Sequence, residues 1–301
     1  MRWVQLLQGL ALPVMLVAVA RRGARRRVER AVADRLGPLD ADGVVAGAAP
    51  IALDGGPRAA LLLHGFGDTP ESLGGLARFL QARGWTVRVP LLPGHGRSVR
   101  AFERSSAAAW EDAAEAAYAE LAARGQPVAL VGQSMGAALA VRLAAQHAEA
   151  PVLVLLAPLL SLSRALERGA RWWWLVALVR PLMESADERS ILDPEARARA
   201  RGYGILPVRL VPQLVGLVRA ACAALPRVRQ PVRVIQSRED NRVTPAGTEA
   251  ALRTIGSREV ELCWRGGAGH VVSVDYGHEE VWVLVADWLE RQTVAAQART
   301  A

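Results

Sequence analysis

Two cysteines in 301 residues, and no lysine at all, are the first things the chain lacks. Cys222 and Cys263 do not have the spacing of a CxxC pair, which excludes a disulfide scaffold and a cysteine zinc cluster; both read as buried thiols. The missing lysines leave every basic side chain an arginine, a compositional bias rather than a device for reading phosphates. Charged residues make up only 22% and hydrophobic ones 51%, so wholesale disorder is excluded and a sizeable core can form. The length suits one large domain, or one domain with an inserted piece. There are no internal repeats.

The net charge of +8 points to nucleic acid until it is located. Residues 1–35 hold eight arginines against two acids, Glu29 and Asp34, a net +6; the remaining 266 residues are left nearly neutral at +2. A neutral domain, and an arm with no aromatic interleaving beyond Trp3, exclude a nucleic-acid partner. Trp3–Ala20 is apolar except for Gln5 and Gln8, with interruptions at Gly9 and Pro13. As a helix it would span about 27 Å, close to the ~30 Å hydrocarbon core of a bilayer. Arg21, Arg22, Arg25, Arg26, Arg27 and Arg30 follow at once. Three readings stay open: an anchor with its arginines on the cytoplasmic side, a signal peptide cleaved after Ala18-Val19-Ala20, and an amphipathic helix lying on the protein or on anionic lipid. The arginines directly after the cut oppose export, so the expectation is membrane association through residues 3–30 with a cytoplasmic main domain.

Beyond the arm, short aliphatic runs alternate with helical segments. Strands are predicted at Ala59–Leu63, Thr86–Pro90, Val128–Gly132, Pro151–Leu156, Pro231–Gln236 and Glu259–Trp264. Helices are predicted at Glu71–Arg83, Trp110–Arg124, Ala137–His147, Thr248–Ile255 and Glu279–Glu290. Strands alternating with helices imply a mostly parallel sheet covered on both faces, with its chemistry at the carboxyl ends of the strands. The expected organisation is an arm at 1–35, a core formed by 36–158 and 227–301, and an insertion at 159–226. The insertion carries Trp172-Trp173-Trp174, several prolines and ten arginines, with no convincing strand, and reads as a helical cap over the strand ends.

Gly132-Gln133-Ser134-Met135-Gly136 joins the strand at 128–132 to the helix from Ala137. In that setting G-x-S-x-G is a nucleophile elbow: a turn so tight that the serine stands clear of the sheet, with glycines where a Cβ would clash. The helix that follows turns N–H groups and its positive dipole end toward developing negative charge. His64-Gly65-Phe66-Gly67 follows an earlier strand, so the backbone N–H groups of Phe66 and Met135 are the candidate oxyanion donors. His64 reads as a residue that orders this loop, His95 as structural and His147 as a surface residue. His270 ends the glycine-rich loop after the last strand and is the candidate base, with His278 the alternative. Asp240 follows the strand at 231–236 and is the candidate orienting acid, with adjacent Glu239 the alternative.

These residues resemble the α/β-hydrolase superfamily, and within it small bacterial carboxylesterases and monoacylglycerol lipases. The resemblance runs over about residues 46–290. It rests on Leu62-Leu63-His64-Gly65-Phe66, Pro90–Gly96, Trp110, Gly132–Gly136, Asp240 and Gly269-His270-Val271-Val272. It departs around Glu239 and Asn241, and most of all in the cap. The resemblance implies an α/β-hydrolase fold with an inserted helical cap and a triad of Ser134, Asp240 and His270. It further implies hydrolysis of short-to-medium acyl esters or monoacylglycerols, without metal or organic cofactor. Acyl transfer and cleavage of other bonds use the same triad; a silent, membrane-tethered binding protein is the alternative outside the enzymes.

Overall fold

The computed structural model describes the backbone of residues 2–185 and 187–300, with the side chains of Met15, Ala18, Val19 and residues 21–185, 187–296 and 298. A long helix α1 (Arg2–Leu36) leads into β1 (Ile51–Leu53), β2 (Arg58–Leu63), α2 (Glu71–Ala82), β3 (Trp85–Val89), α3 (Val99–Arg104), α4 (Ala107–Ala122), β4 (Val128–Gln133), α5 (Met135–Gln146) and β5 (Leu153–Leu156). There follow α6 (Arg164–Arg171), α7 (Trp173–Val179), β6 (Leu182–Glu184), α8 (Pro194–Arg199), β7 (Ile205–Pro207) and α9 (Val211–Ala224). The chain closes with β8 (Val232–Ser237), α10 (Pro245–Leu252), β9 (Val260–Arg265) and α11 (His278–Thr300).

Seven strands form one sheet in the order β1-β3-β2-β4-β5-β8-β9. Only β1 runs antiparallel, against β3; every other pairing is parallel. All six strands predicted from sequence are present within two residues of their expected limits. The inner strands lack polar alternation because both faces of the sheet meet a core. Ala59, Leu61 and Leu63 face one core with Trp110, Tyr118 and the apolar side of α5, while Ala60 and Leu62 face another with Leu73, Leu76, Leu80, Val285 and Leu289. Both faces are dry, and each fully buried leucine contributes about 1.5–3 kcal/mol. The chain builds outward from β2 in one direction through β3 and in the other through β4. The loops after β2 and β4 therefore open side by side at the point where strand order reverses, the favoured crevice of such sheets.

Several elements differ from expectation for local reasons. Helix α4 starts at Ala107 rather than Trp110 because the Ser106 hydroxyl accepts the Ala109 N–H as an N-cap. Helix α11 runs past Glu290 because Arg291–Thr300 contains no glycine or proline, and Gln292 and Thr293 are buried. The insertion, read as strandless, contains the antiparallel pair β6–β7, three residues each and too short for a periodic signal. Cys222 and Cys263 are half-buried rather than buried: β9 is an edge strand, and the Cys222 thiol donates to Leu160 O at the surface of α9.

Within 159–226, α9 lies along α5 in the larger core through Leu214, Leu217, Val218 and Ala221. The stretch Val208–Arg227 is the one helical run among the described residues long and apolar enough to cross a membrane, and it is 56% buried in the fold. At the other end, Val32 and Leu36 of α1 are buried in the same core. Most side chains of Trp3–Ala20, on which the membrane expectation rests, lie outside the described residues.

Candidate active site

Ser134 is the single residue between β4 and α5. Its φ of 54° and ψ of −116° place it in a region L-residues avoid, at a cost of about 1–3 kcal/mol. The turn is enforced by crowding. A Cβ on Gly132 would lie 2.3 Å from Gly136 O, and one on Gly136 would lie 2.0 Å from Leu63 O. The strained residue is tied from both sides: its N–H donates to Leu156 O (2.9 Å), and its carbonyl accepts the N–H groups of Ala137 (3.0 Å) and Leu159 (3.1 Å).

The loops after β8 and β9 bring Asp240 and His270 to this serine. His270 Nε2 stands 2.9 Å from Ser134 Oγ, and His270 Nδ1 lies 3.0 and 2.9 Å from the two Asp240 carboxylate oxygens. A carboxylate can only accept, so Nδ1 carries the proton and Nε2 faces the hydroxyl as an acceptor. Asp240 Oδ1 also accepts the N–H groups of Arg242 (2.7 Å) and Val243 (2.9 Å). Burial pushes the Asp240 carboxyl up. The hydrogen bond and charge of His270 and these backbone donors outweigh that, holding it below the ordinary value. Glu239 turns away to accept from Ser237 Oγ, and His278 bonds Asp275 O and packs on Trp282, so neither alternative joins the group.

The β2 loop completes the surroundings of the hydroxyl. Gly65 passes so close that a Cβ there would sit 3.3 Å from Ser134 Cβ. Met135 is the first residue of α5 and has no acceptor four residues back. Among the described residues, neither its N–H nor that of Phe66 donates to a protein acceptor. The Phe66 ring is packed among His95, Phe102 and Trp110. His64 orders this loop: Nδ1–H donates to Gly65 O (3.0 Å), and Nε2 accepts the Leu92 N–H (3.2 Å). Burial lowers its pKa to about 4, so it is neutral. His95 is fully buried among the rings and His147 bonds Glu115 and Glu149 at the surface, both away from Ser134 Oγ.

Two residues that sequence reasoning did not single out hold the loops to the insertion. The buried Asp275 carboxylate accepts the N–H groups of Leu192 (2.8 Å), Asp193 (2.8 Å), Gly269 (2.6 Å) and Tyr276 (2.8 Å). It thereby fixes the His270 loop against the segment before α8, where Val271 N–H also donates to Ser190 O. Buried Tyr203 ties the β2 loop through its N–H to Gly67 O (2.8 Å), while its hydroxyl accepts the Arg97 N–H (2.8 Å). Asp275 lies three residues beyond Gly269-His270-Val271-Val272, and nothing local in the sequence marks Tyr203.

Known proteins are similar to this chain in sequence and fold. The family model described as serine aminopeptidase, S33 matches residues 56–276. The thermostable monoacylglycerol lipase of a Bacillus species is 29% identical over 241 residues, 77% of this chain and 90% of that protein. The carboxylesterase of Bacillus subtilis is 22% identical over 245 residues, 80% and 96% of the two chains. A structure reported with the metagenome-derived lipolytic enzymes LipS and LipT superposes with a TM-score of 0.74 at 28% identity, covering 82% of this chain and 99% of that one. The family match begins just before β2 and ends beyond His270, so it takes in the elbow, both partner loops and the insertion between them; the chain belongs to the serine aminopeptidase S33 family of α/β-hydrolases.

Proposed function

We propose that this protein is a serine hydrolase that cleaves carboxylic esters, of short-to-medium acyl chains or of monoacylglycerols, through an acyl-enzyme on Ser134. The observation that carries the reading is the unbroken run of hydrogen bonds from Ser134 Oγ through the His270 imidazole to Asp240. Ser134 Oγ attacks the acyl carbonyl while His270 Nε2 takes its proton. Asp240 holds the imidazole in the Nδ1–H tautomer and stabilises the imidazolium that forms. The N–H groups of Phe66 and Met135 bind the oxyanion. The imidazolium then protonates the departing alcohol. In the second step His270 activates water against the acyl-enzyme, and the acid leaves.

The name of the family model raises peptide hydrolysis as a second reading, since the same groups attack amides. Esters are favoured because the named relatives above are a monoacylglycerol lipase and a carboxylesterase. Residues 159–226 act as the cap over the strand ends. Residues 1–35 act as a membrane-associating arm with the catalytic domain on the cytoplasmic side. Retention of the arm is supported by α1 running unbroken past Ala20 and seating Val32 and Leu36 in the core.

The test is hydrolysis of p-nitrophenyl esters from acetate to palmitate, beside an aminoacyl p-nitroanilide, by the full chain and by Ser134→Ala. Ester turnover is expected to be fastest at short-to-medium chains and to fall by about 10⁴–10⁶-fold in the variant. A folded wild type that cleaves the anilide and not the esters would make the protein a peptidase. Equal turnover by the variant would remove Ser134 from the mechanism.

A further inference from the structure

Between α1 and the insertion lies a groove of about 860 Å³ that the proposed ester chemistry does not use. Five arginines from three separate parts of the chain line it: Arg21 and Arg22 from α1, Arg100 and Arg104 from α3, and Arg209 from the turn before α9. All five are exposed, and among the described residues none pairs with a carboxylate. The groove's acid, Glu103, is already engaged by a sixth arginine, Arg25, which also bonds Glu29. Five like charges facing one space repel one another, and among the described residues no carboxylate pairs with any of them. A multiply charged oxyanion would, because guanidinium groups match phosphate oxygens in pairs.

The wall of the same groove shows where such an anion would come from. Trp173 and Ala177 of α7 and Pro181 line it alongside the arginines. On its other sides α7 presents Trp174, Leu175, Val176, Leu178 and Val179 to solvent, between 38% and 67% exposed, with Trp172 beside them at 49%. An apolar, tryptophan-bearing face next to an arginine cluster is the composition of a surface that sits at the level of lipid headgroups. The arginine cluster also begins at Arg21, directly after the apolar stretch Trp3–Ala20.

We propose that this groove binds the phosphate headgroup of anionic phospholipids in a bilayer, with α7 inserted beside it, so that arm and cap meet the membrane together. The inference rests on the membrane association proposed above for the arm, and adds a headgroup site and a charge preference to it. Each arginine near an anionic surface contributes about fivefold to partitioning. The site also predicts that the preference weakens as salt rises, through screening of the exposed guanidinium groups.

The test is sedimentation of the full chain with vesicles of phosphatidylcholine alone, or with about a third phosphatidylglycerol. It compares the wild type with the triple variant Arg100→Gln, Arg104→Gln, Arg209→Gln, which leaves the arm intact. The wild type is expected to prefer the anionic vesicles. The variant should lose that preference by roughly 100-fold, keep its binding to neutral vesicles, and keep wild-type turnover of a soluble ester. The matching Arg→Lys triple should restore most of the preference, which separates charge from misfolding. Wild-type binding to neither vesicle would overturn the membrane reading and this site with it. Equal binding to both vesicles, or an unchanged preference in the Gln variant, would leave the arm's association standing and overturn the site alone. Loss of the preference in the presence of millimolar inorganic phosphate, at constant ionic strength, would make the groove a free-anion site and overturn the assignment to lipid.

Discussion

His270 and Asp240 are 8% and 9% exposed, and the polar contacts that orient them are made within the chain. On α7, by contrast, five of seven side chains are large, apolar and more than a third exposed. The two regions have opposite requirements. Around Ser134 each atom has a position to hold, so strain, crowding glycines and long-range hydrogen bonds converge on a few residues. Along α7 and the arginine groove, large apolar side chains and five arginines face solvent, and among the described residues no carboxylate pairs with those arginines. A change near Ser134 should therefore act on chemistry and stability, and a change on α7 should act on where the enzyme works.

The contrast breaks most sharply at Asp240. Asp240→Asn keeps the shape and loses the charge that sets the His270 tautomer, so kcat should fall by about 10⁴ while secondary structure stays close to wild type. Asp275 is the next largest effect. Asp275→Ala strands buried N–H donors that now share one carboxylate, including those of Leu192, Asp193 and Gly269. The expected cost is about 3 kcal/mol in denaturant unfolding, with a loss in kcat because the His270 loop loosens.

The third expectation concerns pH. His64 is held to a pKa of about 4 against an ordinary value of 6.5, and burial also holds His95 well below that value. Between pH 6.5 and 4 the unfolded chain takes up protons that the folded chain refuses, so stability should fall as pH drops through that window. The Asp240 carboxyl, depressed from 3.8, adds a loss in the same direction only at lower pH. Denaturant midpoints measured from neutral to mildly acid pH should decline, and His64→Gln should flatten the decline. A His64→Gln variant whose midpoints decline as steeply as the wild type's would contradict the neutral, loop-ordering role of His64. The smallest effect is expected on α7. Trp172→Ser with Trp174→Ser should change stability by no more than about 0.5 kcal/mol and leave soluble-ester turnover unchanged, while lowering turnover of a substrate presented in vesicles.

What was legible in the sequence follows the same division. The elbow has all its determinants within five consecutive residues, and the inner strands β2, β3, β4, β5 and β8 announce themselves because both their faces are buried. The chain favours Asp240 but does not force the choice against adjacent Glu239. The turn that aims the Arg242 and Val243 N–H groups at one carboxylate separates them, and that geometry has no sequence signature. Asp275 and Tyr203 went unrecognised because their partners are distant along the chain: 83 residues from Asp275 to Leu192, and 106 from Tyr203 to Arg97. The pair β6–β7 and the edge strand β1 escaped because three residues are too few to show a period. The arginine groove escaped for a different reason. Its members come from α1, α3 and the insertion, and only the packing of α1 against the domain brings them together.

The central claim is that Ser134 is a nucleophile activated by His270. Its most direct test is covalent labelling of the folded full chain with a fluorophosphonate, read by intact mass and peptide mapping. The expected result is one adduct per chain, on Ser134, formed much more slowly in His270→Ala and absent in Ser134→Ala. A folded wild type that stays unlabelled, or that carries its adduct on another residue, would contradict it.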